Sequence, residues 1–393
     1  MRGGHEGFPH GDDRAGAAPV TAAEAGRSMI SVAATGLVYR NPRPEHRAHH
    51  AWHPSLVRFD DGELVCVFDG GSADQALDYR SFVTRSTDGG ATWTPPVRAL
   101  PDWGDRPVTP FMRVGRIRDG SLVGFGGRMF RDDPEAGFVN TPGIGYGEMD
   151  LFLTRSADRG RTWSAPEHIE PPFVGPSWEV CHPVVELADG RWLAPLASWM
   201  GWHGDAAGGM KSAAFVSHDQ GATWPEAIIE FDRWADDIIH WEQSLVQLPD
   251  GRLLAVAWSL NWKTGHVEPT PYAISADGER FRIHGLTGFH GQTTKLTVLP
   301  DGRIFAAYRR QDEPGLWATT ARIEGDRWVN LETAPLWQGA ASGMTGATGT
   351  GTELVAIEFG YPSAVVEDAG TILVAFWCRE ECIASIRWVR VTV

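Results

Sequence analysis

The chain has 393 residues, of which 42% are hydrophobic and 22% charged, so it can bury a substantial core. Its formal net charge of −15 excludes a polyanionic partner such as nucleic acid or an anionic membrane, because both require a basic surface. The composition is rich in Gly (46), Pro (26) and Trp (18), and no long, capped segment of 3.6-residue periodicity is present, which points to an all-β chain with many turns.

In chain order, residues 1–27 are polar and rich in Gly and Ala, and read as a disordered N-terminal segment. They contain no apolar stretch of signal-peptide length, and no run of the chain is apolar enough to span a membrane. A cytoplasmic location is therefore expected. From about residue 28 to residue 393 one pattern repeats as a single domain. An apolar alternating run meets an Asp-Gly turn and a second apolar run follows, first in HPSLVRFDDGELVCVFD (53–69). The turn aspartates are Asp61, Asp119, Asp189, Asp250, Asp301 and Asp368, the last in Asp-Ala-Gly. Asp-Gly between apolar runs is a hairpin signal, because Gly accepts positive φ. Intervals of 58, 70, 61, 51 and 67 residues between these aspartates each hold four strands. Six such units predict a six-bladed β-propeller with four antiparallel strands per blade, with a stack of sheets or a pair of sandwiches as the other all-β solutions. The segment MISVAATGLVYR (29–40) is expected to close the ring as the outer strand of the last blade.

A second motif follows the third strand of a blade: RSTDGGATW (85–93), RSADRGRTW (155–163) and SHDQGATW (217–224), with a damaged copy in SADGERF (275–281). Asp can bond its own turn backbone, Gly permits the tight bend, and Trp fills the space between strands, so the octet reads as a structural clasp away from the centre. Cys66, Cys181 and Cys378 fall in apolar strand patterns and read as buried thiols. The Cys378/Cys382 spacing has no second pair to complete a zinc site. Neither a metal nor a cofactor is expected. The histidines of EHRAHHAWH (45–53) lack regular ligand spacing and suit acid–base or hydrogen-bonding roles.

The octets resemble the Asp-box, or BNR repeat, of the sialidase superfamily, and the resemblance covers about residues 29–393. It implies a six-bladed propeller with a ligand site in the central funnel and a carbohydrate partner. It places a tyrosine nucleophile at Tyr361 and its glutamate partner at Glu242. A tyrosine needs such a carboxylate to take its proton. The family's arginine before the first hairpin is replaced by Trp52, with His53 beside it, and the arginine after the fourth by Trp258. Arg309 or Arg310 is a remnant of the carboxylate clamp, and Asp74 or Asp78 fills the acid/base region, Asp78 being the choice. Exo-arabinanases share the propeller and use two glutamates, which directs attention to Glu179 beside Glu242.

Strand ends at the same rim bring His53, Arg113, His182, Lys295, Asp69, Arg128, Trp199, Trp258, Arg310 and Arg379 towards the funnel. The neighbouring loops add Arg47, His49, His50, Arg80, Trp178, His203, His240, Trp241, His290 and Gln292. Aromatic faces with a few polar groups suit sugar rings. The chemistry expected is glycoside hydrolysis of a sugar other than sialic acid. The alternatives are a uronate lyase using His and Tyr, and a sugar-binding propeller without catalysis.

Overall fold

The computed structural model describes residues 30–140, 144–310, 312–339 and 358–393. The expected disordered segment 1–27 lies outside the described residues. The described residues form six antiparallel sheets arranged as the blades of a propeller, with one three-residue 3-10 helix, Trp234–Asp236. The first and second strands of blades 1 to 6 are His50–Arg58 and Leu64–Gly71, Val108–Arg116 and Leu122–Phe130, then Ser177–Glu179 (continued at Val185–Glu186) and Trp192–Trp199. Next come Ile238–Gln247 and Leu253–Asn261, Gln292–Val298 and Ile304–Arg310, and Phe359–Asp368 and Thr371–Glu380.

The six hairpin turns form as their sequence dictates. Each turn aspartate accepts a hydrogen bond from the amide two residues on, from Asp61 with Glu63 to Asp368 with Gly370. The first five turn glycines have φ between 82° and 92°; in the sixth, the extra residue removes that need.

Second strands are buried along most of their length, and Leu64–Gly71 and Trp192–Trp199 along all of it. Both of their faces meet a neighbouring blade, so polar alternation is lost. The apolar core is accordingly divided into layers, one between each pair of adjacent blades; Leu64, Phe68, Leu373 and Trp388 belong to the layer joining blade 6 to blade 1. Cys66, Cys181 and Cys378 are buried free thiols within this framework, and Cys382 is exposed.

The ring closes as expected. Ser31–Tyr39 pairs antiparallel with Ile383–Thr392 and supplies the outer strand of blade 6. Gly36 lies against Trp388, where an added Cβ would come within 2.6 Å of the indole, so this closing register requires glycine. The Trp388 indole N–H then donates to Gly90 O in the blade 1 octet.

The octets are clasps between blades as well as within them. In the first, Asp88 accepts from Thr92 N and Thr92 Oγ1, and Ser86 Oγ accepts from Gly90 N. The same bonds recur around Asp158 and Asp219. An arginine from the preceding blade donates to each turn: Arg390 to Gly89 O, Arg85 to Arg159 O and Arg155 to Gln220 O.

A second set of interblade bonds encircles the axis. Ser363 Oγ accepts from Leu56 N, Ser55 Oγ from Val114 N, and Ser244 Oγ from Leu296 N. His182 Nε2 accepts from Leu245 N at 3.4 Å, while its Nδ1 lies 2.8 Å from Pro183 O. His182 is therefore neutral and structural, with burial holding its pKa down at about 3.

Candidate active site

Four of the six first strands carry the same defect at the same place. Two residues oppose one in the ladder at His53-Pro54, Glu242-Gln243, Thr293-Thr294 and Tyr361-Pro362. The leading residue of each bulge is left-handed, with φ of 50°, 47°, 51° and 55°. For non-glycine residues this costs on the order of 1 kcal/mol each. The bulge turns the side chain out of the interblade layer, and His53, Glu242, Thr293 and Tyr361 all line one axial cavity of about 160 Å³. That space holds roughly ten water-sized positions, about the bulk of one sugar ring.

Two groups of polar residues face this cavity. On blades 3 and 4, the buried Glu179 accepts from the Glu242 backbone N–H at 3.1 Å through Oε2. Glu242 Oε2 is buried and has no hydrogen-bond partner among the described residues. Burial, followed by the charge of Glu179, pushes the Glu242 carboxyl up to about 7; burial also raises Glu179, against the lowering effect of the Glu242 amide. Two carboxyls in one desolvated site favour holding a single proton between them.

On blades 6, 1 and 2, Arg113 Nε donates to Tyr361 Oη at 2.7 Å and Arg113 Nη1 donates to Asp69 Oδ2 at 2.6 Å. Ser81 Oγ donates to the other Asp69 oxygen, so the buried carboxylate is held on both sides. His53 Nδ1 shares a hydrogen bond with Tyr79 Oη at 2.8 Å. Burial, then Arg113 and Arg309, drive the His53 pKa well below 6.5, so its ring is neutral. Burial likewise raises Tyr361 well above 10 despite Arg113. The Tyr361 hydroxyl meets Arg113, not Glu242.

The remaining wall is aromatic. Trp241 stacks on Trp258 with centroids 4.2 Å apart, Trp199 meets Trp241 edge-on at 5.7 Å, and Tyr146 packs on Trp199 at 5.2 Å. Arg309 is held by Gln292 Oε1 and Phe359 O, with its guanidinium 5.4 Å from the Trp258 ring.

Of the residues singled out in the sequence, Trp52, His53, Asp74, Arg113, Glu179, Trp199, Trp241, Glu242, Trp258, Arg309, Tyr361 and Arg379 line the cavity. The others are placed elsewhere. Asp78 is exposed and accepts from Ser72 N and Oγ, while Asp74 lines the cavity; burial raises the Asp74 carboxyl to about 6, and its Oδ1 has no partner among the described residues. Arg80 pairs with Asp102, Arg128 with Asp150, and Arg310 with Asp312 and Glu313. Trp178 packs between Phe173 and Phe215 in the layer between blades 2 and 3. His240 bonds Ser259 Oγ in a separate cleft bounded by Phe231 and His284. His50 Nδ1 accepts from Ala384 N, and Gln292 stands behind Arg309. His182 and Lys295 lie below the cavity, on the axial channel that opens at the opposite face. Alternation explains the near misses: Trp178 and Glu179, His240 and Trp241, and Arg309 and Arg310 are neighbours in the chain that point to opposite sides of a strand.

Tyr79 and Tyr146 were not chosen from the sequence. Asp69, which ends the second strand of its hairpin, was visible there; its pairing with Arg113 from the next blade was not. Among the described residues no group of three or more His, Cys, Asp or Glu is arranged to hold a metal ion, and no helix is long and apolar enough to cross a membrane.

Blade number, closing strand, Asp-box clasps and an axial cavity at the first-strand bulges define a sialidase-like propeller. The chain belongs to the BNR repeat-like domain family, which matches residues 138–374. No curated protein sequence matches it significantly. Among solved structures, it is similar to a protein of unknown function from Dyadobacter fermentans at 20% identity and a TM-score of 0.69, covering 93% of this chain and 99% of that one. The NanB sialidase from Streptococcus pneumoniae, solved with a chlorobenzylammonio-ethanesulfonate, is 12% identical with a TM-score of 0.63, over 91% and 70% of the two chains. The Penicillium chrysogenum α-L-arabinanase complexed with arabinobiose is 15% identical with a TM-score of 0.63, over 92% and 98%. At these identities the likeness is one of fold.

Proposed function

We propose that the protein is an exo-acting glycoside hydrolase that takes one terminal sugar ring into the axial cavity, with Glu242 and Glu179 as its catalytic carboxyls. The observation that carries this reading is the buried pair itself. Glu242 Oε2 lacks a partner, while Glu179 is stabilised as a carboxylate by the Glu242 amide. Glu242 is the proton donor to the glycosidic oxygen. Glu179 is the carboxylate that meets the positive charge developing on the anomeric carbon. Three polar atoms on the cavity residues, Asp74 Oδ1, Glu242 Oε2 and Trp258 Nε1, have no partner among the described residues, and sugar hydroxyls would satisfy them. The Trp241–Trp258 wall offers apolar surface to a ring face.

A sialic-acid substrate fits less well. Trp52 and Trp258 stand where the family's carboxylate-binding arginines are expected, and Arg113 is already committed to Asp69 and Tyr361. The known folds of a sialidase and an arabinanase support glycoside chemistry without choosing the sugar.

The test is hydrolysis of a panel of aryl glycosides, including neutral pentosides and hexosides and a sialoside. Glu242→Gln and Glu179→Gln are each expected to lower kcat/KM by roughly 10²–10⁴-fold while leaving the unfolding temperature close to that of the wild type. Activity within ~10-fold of wild type in Glu242→Gln would refute the assignment. The His53–Tyr79 contact favours a second reading, proton abstraction by a uronate lyase. That reaction creates an unsaturated product that absorbs in the near ultraviolet, whereas hydrolysis yields only a new reducing end.

A further inference from the structure

The bulge repeat contains one exception. Two residues after His53, Glu242 and Tyr361 stand Ser55, Ser244 and Ser363, each accepting an interblade hydrogen bond from the next blade. Two residues after Thr293 stands Lys295. An ammonium cannot accept, so blade 5 gives up this stitch to blade 6. Thr293 Oγ1 instead accepts from Tyr361 N at 3.2 Å.

Lys295 is 7% exposed and sits on the axis. Its Nζ donates to Cys181 O on blade 3 and to Gln243 O on blade 4, the latter at 3.4 Å. Cys181 lies two residues beyond Glu179, and Gln243 is the residue after Glu242. The same Nζ lies 4.9 Å from the centre of the Tyr361 ring. One buried cation thus ties together the two backbone segments that carry the glutamates and underlies the tyrosine. Nothing about folding demands a lysine here, since three other blades use serine.

We infer that Lys295 is a positioning residue for the active site, holding the Glu179 and Glu242 segments at a fixed separation and placing a positive charge beneath the pair. The inference rests on the glycosidase reading only for what the pair does, not for how the pair is held. Lys295, Arg113 and the Cys181 thiol face Glu179; Glu179, Lys295 and Arg309 face Glu242. Of these, Lys295 is the one group whose charge bears on both carboxyls from the blade-5 position that elsewhere carries a serine. Removing it disfavours both carboxylates relative to their acids.

The experiment uses the full chain as wild type, as Lys295→Ser, which installs the residue of blades 1, 4 and 6, and as Lys295→Met, which keeps the volume without the charge. Glutamate carboxyl carbons are labelled and titrated by NMR, with Glu179→Gln and Glu242→Gln identifying the two resonances. In both lysine variants the apparent pKa values of the pair should rise on the order of one unit. Both limbs of the pH–rate profile should move the same way, with kcat falling more than KM rises. Lys295→Arg should restore the titration more nearly than the rate, because a guanidinium keeps the charge and not the geometry. Carboxyl titrations in folded Lys295→Met or Lys295→Ser that superimpose on the wild type would overturn the inference. An unshifted pair with full activity would do so as well. Shifted titrations in a protein that cleaves no glycoside would uphold the positioning role and reject the hydrolase reading.

Discussion

The pairing of Asp69 with Arg113 allows a quantitative test of what holds the site together. Asp69 is fully buried and Arg113 is 5% exposed, and they meet at 2.6 Å across the layer between blades 1 and 2. Truncation in Asp69→Ala leaves a buried guanidinium with only Tyr361 Oη and Met112 O as partners, and strips Ser81 Oγ of its acceptor. Breaking a buried pair from one side costs about 3–5 kcal/mol. For 393 residues, an unfolding entropy of roughly 2.1 cal/mol/K per residue gives about 0.8 kcal/mol per degree, hence a fall in Tm of ~4–6 °C. The double variant Asp69→Ala/Arg113→Met removes both charges and should recover at least ~1 kcal/mol relative to Asp69→Ala alone, because no uncompensated charge remains. Differential scanning calorimetry of the wild type, both single variants and the double variant closes the cycle. A fall of less than ~1 °C in Asp69→Ala, or a double variant less stable than Asp69→Ala, would show that the ion pair does not carry the interface.

Two further outcomes are expected, besides those for Glu242, Glu179 and Lys295. Ser55→Ala leaves the Val114 amide without its acceptor in a buried setting and should cost ~1–3 kcal/mol, read by chemical denaturation with an unchanged m-value. Glu230, buried on the outer strand of blade 3 (Glu226–Phe231), has its carboxyl raised by desolvation from 4.5 to about 8. The folded state therefore keeps a proton that the unfolded state releases, so stability is present in full below about pH 4.5 and declines up to about pH 8. The slope is about 1.4 kcal/mol per pH unit. Glu230→Gln should flatten that decline in Tm-against-pH curves; curves that remain parallel to the wild type would remove the assignment.

The architecture was legible because it is written in local chemistry. Asp-Gly turns recur where a left-handed residue is needed, and the Ser-x-Asp-x-Gly-x-Thr-Trp octets recur where a turn must bond itself. The spacing of the turns allows four strands per unit. The closing strand was legible for the same reason, as one alternating run left over at the start of the chain. The structure adds what those octets do: an arginine from the preceding blade grips each clasp, a contact between residues as far apart as Gly89 and Arg390.

The site was legible only where residue type and strand end coincide, as at Glu242, Tyr361, His53 and Arg113. The sequence could mark the hairpins but not the bulge that turns His53, Glu242, Thr293 and Tyr361 towards the axis in four of the first strands. Alternation along the strand decides which of two neighbours faces the axis, and so brings Glu179 into the cavity and sends Trp178 into the core. The same alternation separates Arg309 from Arg310, and Trp241 from His240. Asp74 and Asp78 lie on the same loop and look equivalent in the chain; only the fold buries one and leaves the other bonded to Ser72 at the surface. The sequence by itself determined the number of blades, their turns and their closure, because those follow from interactions within a few residues. The tertiary structure decided which carboxyls share a cavity and which lysine lies beneath them, because burial and pairing arise between blades, from residues brought together only when the ring closes.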